Sequence, residues 1–232
     1  MTKLQTNNIC VYCGTELSKT NKTRDHVPPR SFFTKSERSQ FTLITVPACS
    51  ECNNGDSVQD ETAKYISSLC TIQMRRETPE QMQSLKKTLK ENNHLSQMVK
   101  SAKPTLMQDT MTRLYTFEKK ISLDKTYIED TEKVLCRIAR GLYWHHFKKV
   151  LNAGKYKVCF HAGLDLFTSA KELWEVKHKR LKFILEAASY CKRVDLLPGV
   201  FSYWIGIDRE GACCFFMLYR KALLVSIIAL PD

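Results

Sequence analysis

Two pairs of cysteines, Cys10-x-x-Cys13 and Cys49-x-x-Cys52, bracket an Asp25-His26 dipeptide, and Asn53-Asn54 follow the last cysteine directly. No other feature constrains the fold as much. Two thiolates three residues apart can turn onto one ion, and two such knuckles complete the tetrahedral set of a structural zinc site. The zinc would fold this region, and the residues between the knuckles would do the chemistry. A carboxylate and an imidazole inside the loop, with an amide beside the closing knuckle, are the parts of a phosphodiester-cleaving site. A plain zinc ribbon with an incidental Asp-His pair is the competing reading.

The 232 residues suffice for one large domain or two small ones, and 43% hydrophobic residues supply a core. Gly and Pro number 8 and 7, which argues against long disordered linkers. The first residues lack the apolar run of a signal peptide, and stretches such as Ala222–Leu230 fall short of the roughly 20 residues that span a bilayer. Ten cysteines would mean disulfides in a small secreted chain. Here four sit in knuckles, and Cys70, Cys136, Cys159, Cys191, Cys213 and Cys214 lie in apolar contexts, as reduced buried thiols do. A cytoplasmic protein without membrane contact is expected. The net charge of +12 favours a polyanionic partner, because each lysine or arginine placed on a phosphate releases condensed counterions.

Three regions make up an α+β chain. Residues 1–60 are short, polar and knuckle-bound, with Phe41–Val46 as a β-rich run into the second knuckle. Residues 61–152 read as helical. Met82, Leu85, Leu89, Leu95 and Met98 keep helical spacing between Thr78-Pro79 and Lys103-Pro104. Val134, Leu135, Ile138, Leu142 and Val150 mark one face of a longer helix, while Trp144, Phe147 and Leu151 load another. Residues 153–232 read as an α+β segment. Ser169-x-x-Glu172 is a capping-box signature ahead of a helix to about Tyr190. Val200–Ile207, Ala212–Leu218 and Ala222–Leu230 follow as a three-stranded antiparallel meander.

Asp25 and His26 are neighbours, and neighbours on a strand point to opposite faces, so they take different roles. Histidine, with a free pKa of about 6.5, suits a general base at neutral pH. A hard divalent ion prefers oxygen ligands of the kind that Asp25 and an asparagine carbonyl offer. Asn53 is held rigidly if zinc fixes Cys52 beside it.

These residues resemble the HNH nucleases of the zinc-knuckle type, whose pattern is C-x-x-C-G, then D-H-x-x-P, then C-x-x-C-N. It is matched by Cys10-Val-Tyr-Cys13-Gly14, Asp25-His26-Val-Pro-Pro29 and Cys49-Ser-Glu-Cys52-Asn53, over residues 8–60. The resemblance implies a zinc-stapled ββα-metal module and metal-dependent endonuclease activity. It makes His26 the general base, and Asp25 and Asn53 the ligands of a catalytic Mg2+ or Mn2+ that stabilises the leaving 3′ oxygen. Products with a 5′ phosphate and a 3′ hydroxyl follow. The chain departs from the pattern twice. The family's middle asparagine, which orients the histidine, has no counterpart in Leu43–Val46, which leaves Thr42, Thr45 or a backbone carbonyl to hold His26. Asn54 and Asp56 also lie near Asn53; Asp56 is the stronger ligand electrostatically, and the family register favours Asn53.

Lys22, Arg24, Arg30, Lys35 and Arg38 flank the Asp-His pair and are the expected phosphate contacts, with DNA the expected substrate. Trp144-His145-His146 reads as structural or nucleic-acid-contacting, Cys213-Cys214 as structural, and Lys177–Lys182 as a solvated helix face. Small chains that resemble this one often belong to bacterial restriction or anti-phage systems, which implies an ATPase or sensor partner. A zinc-binding nucleic-acid recognition or interaction subunit without nuclease activity is the alternative.

Overall fold

Across residues 8–54, 57–73, 78–108, 115–120, 125–151, 155–162, 191–207, 213–220 and 223–230, the computed structural model describes a mixed α+β protein. Its N-terminal part is built on a hairpin. β1 (Lys22–Val27) pairs antiparallel with β2 (Ile44–Cys49), with Asp25 opposite Val46 and His26 opposite Thr45. Strand alternation puts Thr23, Asp25 and Val27 on one face with Ile44, Val46 and Ala48, and Lys22, Arg24 and His26 on the other with Thr45. Helix α6 (Lys125–Phe147) packs against the hairpin. A Cβ at Gly141 would sit 2.5 Å from Val27 Cγ2, so the approach depends on the missing side chain.

The link from β1 to β2 holds a 3-10 turn (Arg30–Phe32) and α1 (Lys35–Arg38), whose start is a capping box between Thr34 and Glu37. After β2 come α2 (Ser50–Asn54) and α3 (Ser57–Gln73), the latter packed on α6. The helical spacing read between Pro79 and Lys103 resolves into α4 (Pro79–Glu91) and α5 (Asn93–Lys100). The break falls at Asn92, whose side chain accepts from Leu95 N at 3.1 Å and so starts a second helix. Leu85, Leu95 and Met98 bury against Tyr65 and Ile66 of α3 in a small separate core.

The helical middle contains a hairpin that periodicity did not anticipate. β3 (Lys103–Gln108) pairs antiparallel with β4 (Tyr115–Lys120), two short runs in which Thr105, Tyr115, Thr116 and Phe117 favour extended backbone. Helix α6 also ends earlier than expected. Val150 and Leu151 lie beyond its last turn, after Lys148 takes a left-handed φ of 54°.

The C-terminal strands form a five-stranded antiparallel sheet, in the order β5 (Lys155–Ala162), β9 (Leu223–Leu230), β8 (Cys213–Tyr219), β7 (Phe201–Ile207), β6 (Lys192–Leu197). The expected meander is β7–β8–β9, and β6 and β5 extend it on either side. The helix expected after Ser169 and the basic run Lys177–Lys182 fall outside the described residues, as does Asp56. Val27 and Val46 of the hairpin, Ile138 and Leu142 of α6, and Tyr203, Phe215 and Val225 of the sheet belong to one core cluster. Sheet and hairpin region are also tied by charge. Arg220, after β8, donates to Glu37 of α1 at 2.6 and 2.9 Å, both side chains being buried. No described helix is long and apolar enough to cross a membrane.

Candidate metal centre and active site

The four knuckle cysteines converge as their spacing requires. All four Sγ atoms lie within 4.8 Å of one another, and Cys13 Sγ is 3.8 Å from Cys49 Sγ. A tetrahedral zinc with Zn–S bonds of about 2.3 Å separates its sulfurs by about 3.8 Å. The cluster therefore has the dimensions to hold a metal ion such as zinc. Backbone geometry sets it up. Cys10 N donates to Thr15 O at 2.8 Å and Gly14 N to Cys10 O at 2.9 Å, a turn closed by the left-handed φ of 75° at Gly14. In the second knuckle Cys52 N donates to Cys49 Sγ at 3.4 Å, and Val11 N donates to Pro47 O at 3.1 Å, joining the two knuckles. Burial pushes the Cys10 and Cys52 thiols up. Burial also acts upward on Cys13, but hydrogen bonds with Thr15, Cys10 and Cys52 outweigh it and bring that thiol to about 7. Cys13 is thus poised to ionise first, and a metal on binding would displace the protons of the Cys10 and Cys52 thiols into solvent.

Closing the cluster lays α2 on β1. Asn53 Nδ2 donates to Thr23 Oγ1 at 3.1 Å and to Arg24 O at 3.3 Å, beside the Asp25-His26 pair. Asn53 Oδ1 is left without a donor among the described residues. Asp25 is buried, with 8% of its surface exposed, and is already engaged. Oδ2 accepts from Tyr12 Oη at 2.7 Å and faces Arg137 Nε at 3.8 Å, while Oδ1 accepts from His26 N at 2.7 Å. Arg137 reaches down from α6 and also pairs with Asp60 of α3. An ionised carboxylate offers about four lone-pair positions, so a coordination site remains on Asp25.

The His26 ring is half-buried and makes no hydrogen bond among the described residues. Thr45 stands directly across the hairpin from it but does not bond to it, and no described residue takes the place of the missing asparagine. Burial, then the Arg30 charge, lower the His26 pKa against the opposing pull of Asp25, which favours the neutral ring. Lys22 and Arg24 are exposed on the same strand face as His26. Lys35 and Arg38 belong to α1, which instead contacts α4 through Ser36 N and Glu80 Oε1 at 3.3 Å. His146 bonds to Tyr203 Oη at 2.8 Å, in keeping with a structural role.

Tyr12, Arg137 and Asp60 were missed by sequence reasoning. Arg137 carried the readable signal, as an arginine set among Val134, Leu135 and Ile138 on an apolar helix face. A buried arginine needs a partner, and the partners here are Asp25 and Asp60.

Comparison with family models, curated proteins and solved structures finds no match to this chain.

Proposed function

We propose that this chain is a metal-dependent nuclease of the HNH type, hydrolysing phosphodiester bonds of nucleic acid, DNA foremost. One observation carries the reading: the cysteine cluster closes α2 onto β1, so that Asn53 bonds to Thr23 and Arg24 beside Asp25-His26. A zinc ribbon has no need of that second contact.

In this reading the neutral His26 ring takes a proton from the attacking water, its lack of a protein partner leaving a nitrogen available. Its backbone N–H, bound to Asp25 Oδ1, fixes where the ring begins. Asn53 turns its amide nitrogen to β1, which leaves Oδ1 to join Asp25 in holding a divalent ion. When bound, magnesium or manganese supplies Lewis-acid stabilisation of the leaving 3′ oxygen. Lys22, Arg24 and Arg30 neutralise the flanking phosphates. An effector role in a bacterial restriction or anti-phage system, with an ATPase or sensor partner in the cytoplasm, rests on the resemblance and belongs to the same proposal.

The grip of Tyr12 and Arg137 on Asp25 favours a second reading, a zinc-stapled recognition module that binds nucleic acid without cutting. Supercoiled plasmid separates the two. The nuclease reading expects nicked or linear product with magnesium or manganese and none without divalent ion, at unchanged zinc content. Retarded but intact plasmid under every condition supports the recognition module instead.

A further inference from the structure

Between the hairpin and the C-terminal end of α6 lies a cleft of about 260 Å3, lined by Lys22, Thr23, Arg24, Thr45, Pro47 and Trp144, with no acidic side chain in its lining. Three observations converge on it. Lys22 and Arg24 are exposed cations in its lining. Trp144 forms an aromatic wall of the cleft and is 7% exposed. Finally, Lys22 and Arg24 share the His26 face of β1. At about 3.4 Å per residue they stand about 14 and 7 Å along the strand from the histidine.

We infer that this cleft binds one unpaired nucleotide of the strand adjoining the cleaved bond. Arg24 and Lys22 take successive phosphates leading away from His26. The sugar and base lie against Pro47 and Trp144. The volume is just under the roughly 300 Å3 of the smallest organic-ligand pockets, which suits one nucleotide and excludes a base pair. The inference rests on the nuclease reading for its link to cleavage, but the binding it describes is measurable without any cleavage.

The probe is the 5′-phosphorylated thymidine dinucleotide, titrated into zinc-loaded, 15N-labelled full chain without added magnesium or manganese. The Trp144 indole resonance is identified by its loss in Trp144→Phe. The expected result is a saturable shift of that resonance, with the apparent Kd weakened about tenfold in Arg24→Ala, as loss of one phosphate contact predicts. Arg24 is exposed, so this variant folds even if Trp144→Phe does not. Three results overturn the inference: binding that leaves the indole unmoved, an equal shift from inorganic phosphate alone, or no binding. Plasmid cleavage is scored separately. A chain that cuts but shows no indole shift loses only the cleft, and one that shows the shift but never cuts loses only the nuclease.

Discussion

Replacing Arg220 by methionine tests whether the sheet and the hairpin region are held together by charge. Arg220 and Glu37 are each 8% exposed, and the guanidinium donates to both carboxylate oxygens, at 2.6 and 2.9 Å, and to Phe32 O at 3.4 Å. Gln81 and the Thr34 backbone supply two further donors to Glu37, at 3.0 and 2.7 Å. Arg220→Met leaves a buried carboxylate without its cation, a loss that costs about 3–5 kcal/mol. For a chain of this length that lowers Tm by about 6–20 °C. The pH dependence has a defined sign. Burial acts to raise the Glu37 pKa, but the hydrogen bonds from Arg220 and Thr34 and the Arg220 charge win and lower it. The wild-type pair therefore stabilises fully above the unfolded value of about 4.3, and loses that contribution only as pH falls through the lower folded value. In Arg220→Met burial acts unopposed by the cation, the pKa rises, and the penalty shrinks as pH falls from 7.5 to 5.5. Thermal melts of wild type, Arg220→Met and Arg220→Met/Glu37→Gln read this directly. The double variant should recover at least half of the loss. A double variant as unstable as the single, or a gap that widens at pH 5.5, refutes the argument.

Cys13→Ser should drop bound zinc from about one ion per chain to below half by elemental analysis, because a serine hydroxyl replaces one of four thiolate ligands. Full zinc retention contradicts the cluster. Gly141→Ala should cost about 1–3 kcal/mol in denaturant unfolding, since its Cβ meets Val27 at 2.5 Å against a packed hairpin; an unchanged midpoint means that α6 does not lie against β1. Asn53→Ala should raise the magnesium concentration needed for half-maximal cleavage by about tenfold or more while zinc content stays constant, as loss of a ligand or its support predicts. No shift in the magnesium requirement removes Asn53 from the site.

The four-cysteine cluster was legible because cysteine spacing is local chemistry. Two C-x-x-C turns suffice to describe the knuckles, the first of them closed by Gly14 at a left-handed position. The start of α4 at Thr78-Pro79 was legible for the same reason, since Thr78 and Gln81 act within one turn of themselves, whereas the cap at Asn92 that starts α5 was passed over. Strand β5 was readable and was passed over: Lys155, Tyr156, Lys157 and Val158 alternate with period two. Strand β6 was harder, because Lys192, Arg193 and Asp195 mask its single buried position at Leu197. The surroundings of Asp25 lie beyond local reading. Tyr12 and Arg137 stand 13 and 112 positions away, and only the packing of α6 on the hairpin brings the arginine there. The same packing puts Trp144 at the mouth of a cleft whose cations come from β1.

Activation of water by His26 for phosphodiester cleavage is decided by one comparison. Wild type and His26→Ala, matched for zinc content, are assayed on end-labelled duplex DNA with magnesium. Wild type should cleave to products with a 5′ phosphate, and His26→Ala should be slower by about 10²–10⁴-fold. Equal rates for the two proteins, or no cleavage by wild type with magnesium or manganese, would contradict it.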